Sequence, residues 1–189
     1  KCKKCGKKIN IYYPISEFVL GLSILLFYIY DIPFYYVATL IFLFILSYYD
    51  YSERSIPSRL THIFLVISLV FFLLFNLNIQ SLIFTGGVVL FLLILSFLMK
   101  KSFGLGDILV LAGIGLQMGY ENFLVMFWIG IVGALFFSVM YGTFARKDLR
   151  KIKIPMIPFF MVSFVISCVY GQYIFDFVMN GFFPLLAWK

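Results

Sequence analysis

Long apolar runs alternate along the chain with short clusters of polar and charged residues, and the runs have helical rather than strand length. Reading them in order predicts seven helices: Pro14 to Tyr30, Pro33 to Tyr49, Pro57 to Asn76, Ser81 to Met99, Phe103 to Tyr120, Asn122 to Phe144 and Pro155 to Val178. A span across a bilayer takes about 20 apolar residues. The first two runs are short by that measure. The fifth reaches it only if Asp107 is counted inside, because the purely apolar part that follows has the length of a buried or re-entrant segment. No repeat, linker or shift in composition divides the chain. The expected fold is therefore all-α, a polytopic transmembrane bundle over residues 14–178, flanked by a Cys- and Lys-rich segment at 1–13 and a short tail at 179–189.

Composition agrees. Of the 189 residues, 63% are hydrophobic and 12% charged, more apolar surface than a water-soluble core of this size can hide. The charges also fix an orientation. With seven crossings and Lys1 to Tyr13 in the cytoplasm, the loops at Asp50 to Ser58, Lys100 to Ser102 and Ala145 to Ile154 lie on the same side. Together with Arg59 just inside the third run, these segments hold 14 of the 15 Lys and Arg, and only Lys189 falls outside. Positive residues are retained on the cytoplasmic face during insertion, so the net charge of +7 is explained without nucleic acid as a partner. The expected location is the cytoplasmic membrane, with the N-terminus inside and the C-terminus outside. Lipid headgroups are natural partners for Arg146, Lys147, Arg150, Lys151 and Lys153. Tyr residues at the ends of the runs read as an interfacial belt. The chain starts at Lys1 without an initiator Met, as a trimmed form of something longer would.

Ionisable groups next to hydrocarbon are costly, and two stand out. Asp50 ends the second run, and Asp107 lies at the start of the fifth in Phe103-Gly104-Leu105-Gly106-Asp107. Both fall on the basic side. A bundle that brings these helices together would juxtapose two carboxylates, which share a proton rather than both ionise. One then takes a proton from water while the other polarises a carbonyl, the chemistry of an aspartic protease. Each helix dipole, taken alone, favours the negative charge on Asp107 and disfavours it on Asp50. Gly104 and Gly106 could adopt positive φ and let an extended substrate strand approach their backbone groups. Asp107 read as a simple N-cap, and Asp50 as a solvated interfacial carboxylate, are the plainer alternatives.

Five other residues draw notice. Glu17, early in the first run, is a secondary candidate. Cys2 and Cys5 form a CxxC turn, which reads either as half of a four-ligand zinc site or as a pair of free thiols. His62 reads as an interfacial, hydrogen-bonded residue, and Cys168 as a small apolar filler. Among the glycines, Gly86 and Gly87, Gly113 and Gly115, and Gly130 with Ala134 read as places of close helix approach.

Phe103-Gly104-Leu105-Gly106-Asp107 resembles the GxGD signature of membrane aspartyl proteases. Asp50 followed by Ile56-Pro57 and Leu60-Thr61 resembles the first aspartate motif of type IV prepilin peptidases. Cys2 and Cys5, then Ile9, Tyr13-Pro14 and Glu17, are similar to the second CxxC segment of the bacterial enzymes and the helix after it. The resemblance runs from Lys1 to Asp107 and, more loosely, to Pro158-Phe159. It implies cleavage of prepilins and pseudopilins on the cytoplasmic side, after a glycine at the head of a hydrophobic helix, by Asp50 and Asp107 and with no cofactor for proteolysis. Bacterial members also methylate the new N-terminus with S-adenosylmethionine. The chain departs from their pattern in lacking the first helix and first CxxC pair, in having Leu109 where a lysine is common, and in the uniformly apolar stretch from Val110 to Gly119. These departures leave methylation in question, and S-adenosylmethionine is expected as a cofactor only if the methyltransferase part is intact.

Two rivals stay open at this point. A presenilin-like or signal-peptide-peptidase-like protease would use the same aspartates but cut within the membrane, and the chain holds no Pro-Ala-Leu motif. A cation transporter would use them as ion ligands, nearer the midplane and on broken helices.

Overall fold

The computed structural model describes residues 12–75, 77–98, 104–145 and 155–182. Among these residues the secondary structure is helical throughout, in seven elements: α1 (Tyr12–Ile29), α2 (Phe34–Glu53), α3 (Ser58–Phe75), α4 (Ile79–Leu98), α5 (Leu105–Gln117), α6 (Tyr120–Ala145) and α7 (Ile157–Phe182). The expected all-α bundle is thus observed. Its helices differ from the expected ones at their ends. α1 starts at Tyr12 because Pro14 is tolerated in a first turn, where its missing N–H has no intrahelical partner to lose. This puts Glu17 in the second turn, beyond the first-turn position where a carboxylate best meets the helix dipole.

α2 runs a turn past the expected end, through Tyr51 and Ser52 to Glu53. It closes where Arg54 turns left-handed, at φ 51°, and returns its N–H to the Asp50 carbonyl at 3.1 Å. Asp50 consequently sits inside the last turn of α2 rather than ending it. α5 is short, and at 1.5 Å per residue its 13 residues cover about 20 Å, against a hydrocarbon core of roughly 30 Å.

Five helices, α2, α3, α4, α6 and α7, are long and apolar enough to cross a membrane. The distribution of side chains agrees with a lipid environment. Leu74, Ile83, Phe97, Phe136 and Phe144 are exposed, while Thr39, Ser68, Gln117, Ser163 and Ser167 are buried in the centre. The chain is a multi-pass membrane protein. α6 packs on α7 and α7 on α2, while α5 packs on α3 and α4; α1 touches α2 and α7 at the edge. The core joins these layers through Leu43 and Leu46 of α2, Phe64 of α3, Ile108, Leu111 and Ile114 of α5, and Phe160 and Phe164 of α7.

Glycines set the closest approaches. A methyl group on Gly113 would meet the Phe64 ring at 2.6 Å, one on Gly115 would meet Thr85 at 2.6 Å, and one on Gly130 would meet the Phe160 ring at 2.5 Å. Gly86 and Gly87, expected to do the same, face open space with nothing within 4 Å. α4 instead turns Ser81, Thr85 and Leu92 inward, and neither glycine lies on that stripe.

Candidate active site

At the end of α2, Leu46, Ser47 and Asp50 share the buried face. Asp50 is 8% exposed, low for a carboxylate, and needs donors. They come from the start of α7. The Ile157 N–H donates to Asp50 Oδ2 at 2.9 Å, and the Met156 N–H donates to the same carboxylate. The sequence of α7 explains why these two groups are free. Pro155 and Pro158 have no N–H, and the N–H groups of Phe159 and Phe160 already bond to the Met156 carbonyl at 3.1 and 3.2 Å. Asp50 thus caps α7 from another helix.

Asp107 occupies the third position of α5, with Gly104 as the N-cap residue. Its carboxylate folds back to accept the Gly104 N–H, one half of a capping-box arrangement. The backbone at Gly104 is extended, with φ −70° and ψ 143°, so positive φ is not what makes glycine useful here. Space is. A methyl group on Gly104 would stand 3.2 Å from Asp107 Oδ2. Gly106 is helical and lies over Ile56 and Thr61, where a methyl group would find contacts of 3.5 to 3.9 Å. The short α2–α3 connection therefore packs beneath the first turn of α5 and helps set the depth of Asp107.

The structure brings Asp50 and Asp107 to one end of the bundle, close enough to interact electrostatically. α2 and α5 pack chiefly on different neighbours, so the pair forms across a seam. Glu17 lies on an exposed face of α1. His62 is exposed, with Nδ1 2.5 Å from the Ser58 carbonyl oxygen. Cys168 packs partly buried against the core. Cys2, Cys5 and the basic cluster from Arg146 to Lys153 lie outside the described residues. What sequence reasoning missed is the α7 start: its signal was the Pro155-Met156-Ile157-Pro158 spacing, which leaves two adjacent donors unclaimed.

Residues 37–171, a segment that includes both aspartates and the start of α7, match the type IV leader peptidase family. The chain belongs to this family. It is also similar to the prepilin leader peptidase/N-methyltransferase of Bacillus subtilis (strain 168), with 26% identity over 196 residues covering 95% of this chain and 75% of that protein. No solved structure matches the chain. As a leader peptidase of this family the protein is a protease.

Proposed function

We propose that this leader peptidase is an aspartic endopeptidase that removes the leader of prepilins and pseudopilins at the cytoplasmic face of the inner membrane, using Asp50 and Asp107 as one proton-sharing pair. The reading rests on the convergence of the two carboxylates at one end of the bundle, one from α2 and one from α5, both within the matched segment.

A carboxylate pair can hydrolyse a peptide without a cofactor. The ionised member accepts a proton from water, and the water oxygen attacks the scissile carbonyl carbon. The protonated member gives its proton to the carbonyl oxygen as the tetrahedral intermediate forms. Collapse breaks the C–N bond, with the proton held by the first carboxylate going to the departing amine and one hydroxyl proton of the intermediate returning to the second carboxylate. Two backbone donors on Asp50 against one on Asp107 favour the charge on Asp50. This reverses the assignment made from the dipoles of α2 and α5 alone, because it adds the N-terminus of α7. Asp50 is then the base and Asp107 the acid. Gly104 and Gly106 keep a substrate role in this proposal by leaving the approach to Asp107 low. Glu17 is given no role in the chemistry.

Cys2 and Cys5 would supply at most two of the four donors that a structural zinc site needs, and no step of the cleavage passes through them. No methyl-transfer step is assigned to this chain. The test is the initial rate of prepilin cleavage by purified enzyme in proteoliposomes. Asp50→Asn and Asp107→Asn should each lower it by about 10³-fold or more, in line with loss of general acid–base catalysis. Either variant keeping its rate within tenfold of wild type would defeat the paired mechanism. A cut mapped within the hydrocarbon span of the substrate would move the protein toward the intramembrane rival.

A further inference from the structure

Asp50 and Asp107 are carried by different halves of the bundle. α2 packs chiefly on α7, and α5 on α3 and α4. Near the carboxylates, Asp50 accepts from Met156 and Ile157 of its own half, and Asp107 from Gly104 of the other. A polar link between the halves lies at the other end of α5. Gln117, its last residue, is 0% exposed. Its Oε1 accepts the Thr39 hydroxyl of α2 at 2.5 Å, and its Nε2 donates to Ser68 Oγ of α3 at 2.7 Å. Its main-chain carbonyl accepts the Tyr36 hydroxyl of α2 at 3.0 Å.

We propose that Gln117 is a positioning residue, which locks α5 to α2 at the far end of both helices and so fixes the spacing of Asp50 and Asp107. The inference rests on the paired-aspartate reading above. Apolar packing is non-directional and lets helices slide or rock against each other. An amide with both ends engaged allows one register, because any other leaves a buried polar group without a partner.

The lever arms match. Gln117 is ten residues from Asp107 and Thr39 eleven from Asp50, about 15 and 16 Å at the helical rise. A rotation of about 4° about this point moves a carboxylate by about 1 Å. A misplacement of that size can cost roughly 10²-fold in rate. Phe64 and Ser68 of α3, pressed against Gly113, hold the α5 side of the joint.

Three variants and a distance measurement test this. Gln117→Met keeps the volume and loses both side-chain bonds, and should lower kcat for prepilin cleavage by about 10- to 100-fold with KM changed by less than about twofold. Thr39→Val should lower kcat by several-fold, and Thr39→Ser, which keeps the hydroxyl, should restore it. In a background without Cys2, Cys5 and Cys168, spin labels at the exposed positions Ser52 and Leu105 report the spacing of the two helix ends. Their distance distribution should shift or broaden in Gln117→Met. A Gln117→Met enzyme with wild-type kcat, or with an unchanged label distribution, would overturn the proposal. If Gln117→Met does not fold, Thr39→Val and Tyr36→Phe carry the same comparison. The two readings fail separately. Retained cleavage in Asp50→Asn removes the paired mechanism even where the labels move, whereas an unmoved label distance beside an inactive Asp50→Asn removes only the joint.

Discussion

Gly104 gives up its side chain so that the Asp107 carboxylate can fold back onto the helix start. An alanine there keeps an allowed backbone, since φ is −70°, and places its methyl group 3.2 Å from Asp107 Oδ2. The carboxyl group must then give way by a few tenths of an ångström and weaken its bond to the Gly104 N–H, a contact worth about 0.5–1.5 kcal/mol for a protonated Asp107. Gly104→Ala should therefore lower kcat about tenfold while barely changing the melting temperature. Gly106→Ala, whose methyl group meets Ile56 at an ordinary 3.5 Å, should cost several times less. Steady-state kinetics on the two purified variants check the order, and an equal loss in both would mean that the glycines serve backbone access rather than carboxylate space. The residue types at this site were legible in the sequence. The reason for the glycine was not, because it depends on the χ angles of Asp107, which no spacing encodes.

At the scale of helices, the α6–α7 contact decides where the donors for Asp50 stand. The Phe160 ring, one turn into α7, lies against Gly130, where an added methyl group would meet it at 2.5 Å. The ring cannot yield easily, because it also stacks on Phe127 with centroids 6.4 Å apart. Gly130→Ala should destabilise the protein by about 1–3 kcal/mol, the usual cost of overpacking. It should also reduce cleavage, since a displaced α7 takes Met156 and Ile157 away from Asp50. Gly133→Ala, with its nearest atom at 3.5 Å on Phe159, serves as the control. Thermal unfolding in detergent, read beside cleavage rate, checks both, and a wild-type melt for Gly130→Ala would contradict the close approach. The helices themselves were readable from hydrophobic run length. Their partners were not: Gly86 and Gly87 looked as suited to packing as Gly130, and only the direction of the α4 face separates them. The cap on Asp50 was hidden for the same reason, since it joins residues more than a hundred positions apart through backbone groups that carry no residue-type signal.

Over the whole molecule, the position of the aspartates has meaning only relative to the two aqueous phases. The charge asymmetry of the sequence supports one such relation. In the orientation proposed from the sequence segments that hold 14 of the 15 Lys and Arg, the positive-inside rule would put the α2–α3 connection and the aspartate end in the cytoplasm, and the α3–α4 turn outside. The leader of a prepilin would then meet Asp50 and Asp107 before the substrate helix passes fully into the bilayer. Single cysteines at Ser55, in the first connection, and at Leu77, in the second, test the orientation in a background lacking Cys2, Cys5 and Cys168. A membrane-impermeant maleimide added to intact spheroplasts should label Leu77→Cys and leave Ser55→Cys unmodified until the membrane is opened. The opposite pattern would place the carboxylates on the outer face, where a cytoplasmic leader cannot reach them, and the proposed site of cleavage would have to be abandoned even if the aspartate pair itself proved essential. The two measurements are therefore independent: asparagine substitution addresses the chemistry of the pair, and cysteine labelling addresses which phase delivers the peptide to it.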